Sequence, residues 1–231
     1  MGKRIYTQVE VSQLIKNNIN ELEEIYISNS NELALGKINE DLLKALKNFK
    51  AKFAYQPISS VDFNGMKNKF DRTFAIDPLP KNPIVIRPNS FLRVINDNSS
   101  YDFIYNYFVL TSSSQYGLGI RFSKSDAVED NYYQDDSFYI LENEFFIKVE
   151  PTDFETAVTT FHSRFDSKIA SKGLGATRHI VDELKYAKDI AQRNPTKISM
   201  FSTVYGNKLS FAGIAEINGN DEYFNRGQQW P

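Results

Sequence analysis

At 231 residues, with 41% hydrophobic and 24% charged side chains, the chain is large and apolar enough to bury a core, which excludes an intrinsically disordered protein. The absence of cysteine removes disulfides, thiolate metal sites and thiol nucleophiles together, and a formal net charge of −2 gives no bulk attraction to nucleic acid. The aromatics are 18 Phe and 13 Tyr against one Trp, an excess that suits buried surface in cores and interfaces alike.

The N-terminal Met1-Gly2-Lys3-Arg4-Ile5-Tyr6 turns polar at Thr7 without an apolar leader region, and no later stretch approaches the roughly 20 apolar residues of a membrane helix, so a cytoplasmic chain without membrane contact is expected. Thr7-Gln8-Val9-Glu10 has the form of a capping box, and Val11, Leu14, Ile15, Ile19, Leu22 and Ile25 come after it at helical spacing, predicting a helix over about 8–26. Asn39 can cap a second helix over about 39–54, with Leu42, Leu43, Leu46, Phe49 and Phe53 on one face and Pro57 as its stop. These two helices are expected to pair. From Pro57 to Asn98 the density of Pro, Asn and Asp reads as irregular, extended chain.

The runs Phe91–Ile95, Phe103–Leu110, Gly119–Phe122, Ser137–Leu141 and Phe145–Val149 are aromatic and β-branched and are separated by turn residues, predicting an antiparallel β-meander over about 84–150. Phe103, Tyr105 and Tyr107 alternate with Ile104, Asn106 and Phe108, so both faces of that strand call for cover, by helices on one side and a neighbouring subunit on the other. Pro151-Thr152-Asp153-Phe154-Glu155 combines a helix-starting proline with a Thr152/Glu155 capping box and opens a helix over about 152–172 that stops before Gly173. A further helix is expected over about 177–193, with Ile180, Leu184, Ala187 and Ala191 on one face. A hairpin over about 198–217 turns at Gly206-Asn207, and residues 218–231 read as an extended C-terminal arm. The fold class is therefore α+β, helical pairs packed with an antiparallel β-meander, as a single domain over 1–217.

Catalytic, cofactor and metal sites do not emerge from the spacing. His162 and His179, the two histidines, fall in expected helices with no partner at metal-ligand spacing. Asp135, Asp136, Glu142, Glu144 and Lys148 gather charge near the meander, but three residues separate Glu144 from Lys148 where a strand-borne nuclease site has one. Gly173-Leu174-Gly175 has no preceding strand and no Lys-Ser/Thr, and reads as a helix–helix turn rather than a phosphate cradle. Tyr132-Tyr133 reads as loop. The C-terminal Tyr223, Phe224, Arg226 and Trp230 place aromatic anchors and a guanidinium on a polar tail, the composition of a docking segment.

The order of these elements, with Phe70–Ile76, Ile84–Val94, Asp153–Ala157 and Phe161–Phe165 as the carrying segments, resembles the podovirus head-to-tail adaptor family, also called tail tubular protein A, over roughly residues 8–195. The resemblance implies a non-catalytic virion protein assembled in the host cytoplasm: a homo-oligomeric, dodecameric ring joining the portal to other tail proteins, with DNA as passing cargo. The C-terminal hairpin and arm fall outside that pattern. Two other classes stand beside it. One is a metal-dependent nuclease or other nucleic-acid enzyme of bacterial defence using Asp62, Asp71, Asp77, Glu142 and Glu144; the other is a monomeric binding or inhibitory protein that presents its aromatic meander as a surface.

Overall fold

The computed structural model describes residues 58–75, 79, 81–111, 116–125, 135–175, 177–224 and the backbone of 228–230. The chain divides into two compact units, Met1–Gln56 and Pro57–Pro231. The helices expected over 8–26 and 39–54 lie outside the described residues, all of which belong to the second unit. The elements of that unit in chain order are helix α1 (Ser60–Thr73), strand β1 (Ile84–Ile86), helix α2 (Pro88–Asp97), strands β2 (Phe103–Leu110), β3 (Tyr116–Ser123), β4 (Ser137–Glu142) and β5 (Phe145–Val149), helix α3 (Pro151–Ser171), strand β6 (His179–Glu183), helix α4 (Leu184–Gln192), and strands β7 (Lys197–Tyr205), β8 (Lys208–Ile217), β9 (Asn220–Phe224) and β10 (Gln228–Trp230).

The strands make two antiparallel sheets, one ordered β10-β6-β2-β3-β4-β5 and the other β1-β7-β8-β9. The expected meander is the run β2 to β5, and the structure is α+β with helices flanking antiparallel sheets. The sheets face each other across a shared core in which the Phe108 and Phe211 rings stack at 3.9 Å, and Tyr116 on β3 hydrogen-bonds Ser202 on β7. Helix α1 covers the outside of the four-stranded sheet, where Phe63 meets Phe201 at 5.3 Å. Helix α3 sets Phe154 edge-on to Tyr107 on the outer face of the six-stranded sheet and, two turns later, Phe161 against Phe108 and Tyr116. Both faces of β2 are thus buried by this chain's own elements, with Tyr105, Tyr107 and Phe108 each fully buried. Strand β2 therefore needs no neighbouring subunit to cover it, whereas Phe145 and Ile147 at the β5 end of the meander are exposed.

Local signals explain most departures from the sequence expectation. Residues 57–98 contain two helices: Ser59 caps α1 by accepting from the Asp62 N–H at 3.0 Å, and Pro88 occupies the first turn of α2, where its missing donor costs nothing. Phe91, Val94 and Ile95, read as a strand, are one face of α2. The Thr152/Glu155 box does not form, because α3 starts at Pro151 and Glu155 instead pairs with Arg178 at 2.8 Å. The helix expected over 177–193 is β6 followed by α4. Gly173-Leu174-Gly175 joins α3 to β6 rather than to another helix, with the Gly175 N–H donating to the Asn207 carbonyl at 2.8 Å. Gly206-Asn207 does turn the β7–β8 hairpin, with Gly206 at φ 59°. Residues 220–224, placed on the arm, are β9, because Asn218 and Gly219 take φ 52° and 74° and turn the chain back onto β8.

Candidate functional site

The site is built by β6 and β2. Period-two alternation sends Ile180 and Asp182 of β6, with Ile104 and Asn106 of β2, to the side that faces the four-stranded sheet, while His179, Val181, Tyr105 and Tyr107 take the opposite side. The two sheets do not close completely there. They leave a cavity of about 70 Å³ walled by Ile104, Leu118 and Ile120 from one sheet and Ile198, Met200 and Phe211 from the other. Its polar lining is Asn106, Asp182 and Tyr186 of α4. Phe91, Phe146, Ala187, Ile190 and Phe224 also contribute to the wall. Phe224 holds its place because its cross-strand partner is glycine: a Cβ on Gly213 would fall 2.0 Å from the Phe224 ring.

Asp182 is the unusual group. Among the described residues its carboxyl makes no hydrogen bond or ion pair, and burial in the apolar lining, aided by the neighbouring Glu183 charge, pushes its pKa up to about 8. Asn106 donates to the Ile180 carbonyl at 3.4 Å. Burial and the Glu183 charge also push Tyr186 up, whereas Lys185 pairs with Glu183 and holds its ammonium 4.9 Å from the Tyr186 ring. The cavity is therefore apolar, carries one neutral acid at neutral pH, and has no Lys or Arg in its lining.

The opposite face of the same strands buries a charge differently. Arg121 of β3 is fully buried, with its guanidinium 3.9 Å from the Tyr105 ring centre, 5.9 Å from that of Tyr107 and its Nε 3.7 Å from the Asp136 carboxylate. His179 packs on the same two tyrosines at 5.2 and 5.4 Å. This cluster is stacked and paired, as buried cations in a core must be.

The residues singled out from the sequence are dispersed by this fold. His162 lies on α3 and pairs with Asp166 at 2.8 Å, whereas His179 is a buried strand residue. Asp62 accepts from the Ser59 hydroxyl at 2.7 Å, Asp71 pairs with Lys67 at 2.6 Å and Glu144 with Arg87 at 2.7 Å. Asp136 faces Arg121, the Asp135 carbonyl accepts from Tyr101, and Glu142 and Lys148 are exposed. Asp77, Tyr132 and Tyr133 lie outside the described residues, and no acid and histidine group fit to hold a metal ion occurs among the described ones. Tyr223 and Phe224 are half-buried in β9, Tyr223 packing on Phe63 at 5.1 Å. The Trp230 backbone pairs with His179 in β10, and Arg226 is outside the described residues. Asn106, Asp182 and Tyr186 were not visible as a group, because their meeting depends on β6 being a strand.

Fold and site define a class: an α+β protein of two facing antiparallel sheets with an acid-bearing cavity between them. Comparison with protein-family models, curated proteins and solved structures finds no match to any of them. Among the described residues no helix is long and apolar enough to cross a membrane.

Proposed function

We propose that this protein acts by binding rather than by catalysis, as a component of an assembly, in the form the sequence resemblance implies: a head-to-tail adaptor ring of a tailed phage, with the portal and tail proteins as partners and DNA as passing cargo. The observation that supports an assembly role is the edge strand β5. Phe145 and Ile147 project from one side of it and are 45% and 46% exposed, and the Arg87 guanidinium lies 5.7 Å from the Phe145 ring centre. The strand's own backbone is guarded: the Phe146 N–H donates to Ser90 Oγ at 2.9 Å and its carbonyl accepts from Arg93 at 3.2 Å, so α2 blocks strand addition there. What the edge offers is an aromatic, an aliphatic and an arginine side chain, the composition of an interface centre. A patch of this kind meeting a different patch on the next copy makes a heterologous contact, the type that closes into rings.

Light scattering on the purified chain and on the double variant Phe145→Lys, Ile147→Lys tests this. A multimer that falls to the mass of one chain in the variant, with unchanged thermal stability, is the expected result. A wild-type monomer that stays monomeric beside a portal would sink the ring reading, and metal-dependent cleavage of DNA would replace it with the nuclease.

A further inference from the structure

We propose that the cavity between the two sheets is a binding site for a small apolar amine, held as its ammonium cation with the Asp182 carboxylate as counter-ion. The proposal stands on the cavity and does not depend on the assembly role. A carboxyl with no partner among the described residues is an expensive thing to place against Ile104, Ile180 and Met200, and the same sheet shows how this chain treats a buried charge that only holds structure: Arg121 is stacked on two tyrosines and set against Asp136. An acid left without such a partner at the wall of a cavity is poised for a partner that arrives.

The lining chooses the chemistry of that partner. Its walls are apolar, so the body of the ligand is hydrocarbon. With no Lys or Arg in the lining, Glu183 next in sequence and the nearby Lys185 already paired with Glu183, an anion would find no free cation to receive it. A neutral hydrogen-bond acceptor could accept a hydrogen bond from the acid's O–H, but it would leave the acid neutral and recover little. A cation recovers the most, since opposite charges attract more strongly at an apolar, half-buried wall than in bulk water. Asn106 lies on the same face of the sheet and adds a polar atom beside the ammonium. Size sets the remaining limit. At about 70 Å³ the cavity is smaller than the roughly 150 Å³ engineered cavity that takes benzene, so it accepts a short alkyl chain rather than a large ring system.

Binding and pH are linked in a defined direction. The titratable and charged groups around Asp182 are Glu183, beside it on its own strand, and on α4 Tyr186 with the Lys185 ammonium 4.9 Å from its ring; the facing strands β1, β7, β8 and β9 supply only Ile86, Ile198, Met200, Phe211 and Phe224 to the cavity. Forming the ion pair transfers the carboxyl proton to solvent, so the apparent affinity for an ammonium should rise about tenfold per pH unit up to about pH 8 and level off above it.

The test uses the full chain with n-butylamine, n-butanol and butyrate as probes, read by titration calorimetry and by thermal unfolding. The expected result is a saturable heat and a rising melting temperature with butylamine alone, an affinity that climbs with pH until Asp182 is ionised, and at least tenfold weaker binding in Asp182→Asn, which should fold at least as well as the wild type. Equal responses to butylamine and butanol, undiminished amine binding in Asp182→Asn, or no saturable response to butylamine across the millimolar range would each overturn the proposal.

Discussion

The two faces of the six-stranded sheet bury ionisable groups under opposite arrangements. On the outer face Arg121 is enclosed by Tyr105, Tyr107 and Asp136, so its charge is stabilised by ring quadrupoles and a carboxylate wherever the fold exists. On the inner face Asp182 lines a cavity, and burial keeps it protonated up to about pH 8. The sheet is shared, although Arg121 is fully buried and Asp182 half-buried. The difference lies in whether the partner is built into the chain, and that separates a group that holds the fold from one left available to something else.

Four variants would break or sharpen this contrast. Arg121→Met should have the largest effect, because it strands the Asp136 carboxylate in a buried place; a loss of about 3–5 kcal/mol in urea unfolding is expected, with Asp136→Asn added to the same background recovering part of it. Gly213→Ala should cost about 1–3 kcal/mol, since the new methyl must displace the Phe224 ring from the cavity wall. Asp182→Asn should have the opposite sign. The folded pKa of about 8 lies above the ordinary 3.8, so the protonated acid's contribution is complete below about pH 4 and is lost as pH rises through that window. Unfolding between pH 4 and 9 should therefore show wild-type stability falling as pH rises, and a variant with a flatter profile that is more stable at neutral pH by about 2 kcal/mol after allowance for Asp182's partial contact with solvent. The smallest stability effect belongs to the β5 pair: Phe145→Lys with Ile147→Lys should shift thermal unfolding by no more than about 0.5 kcal/mol, while changing the mass in solution.

Much of the fold was legible in the sequence because it rests on local signals. Alternation and turn residues gave the meander and the Gly206-Asn207 hairpin, and Pro151 with the stripe Phe154, Ala157, Val158, Phe161 gave α3. Two misreadings came from weighting propensity over spacing. Phe91-Leu92-Arg93-Val94-Ile95 looks like a strand by residue type, yet Pro88 followed by apolar positions at Phe91, Val94 and Ile95 is a helix start with a helical face. Asn218-Gly219, a strong hairpin signal, was present at the head of the supposed arm. The β6 error is of another kind. Ile180, Leu184, Ala187 and Ala191 fit a helical face, and no Gly or Pro separates His179–Glu183 from α4; only pairing with β2 makes those five residues a strand. Asp182 was hidden with it, since on a helix it would have been one more solvated acid.

The way the smaller sheet is closed has a kinetic consequence. Its strand β1 pairs with β7, Ile84 opposite Met200, so everything from α2 to α4, with the strands β2 to β6 of the other sheet, is synthesised between two neighbours in space. Bringing such distant segments together requires a large loop-closure entropy before any contact offsets it, which places folding toward the slow, millisecond-to-second end of the single-domain range. The β7–β8 hairpin, whose strands are joined by two residues, can form early and wait. Until β1 docks, one edge of that hairpin is open, and a nascent chain crowded among its own copies could pair there first.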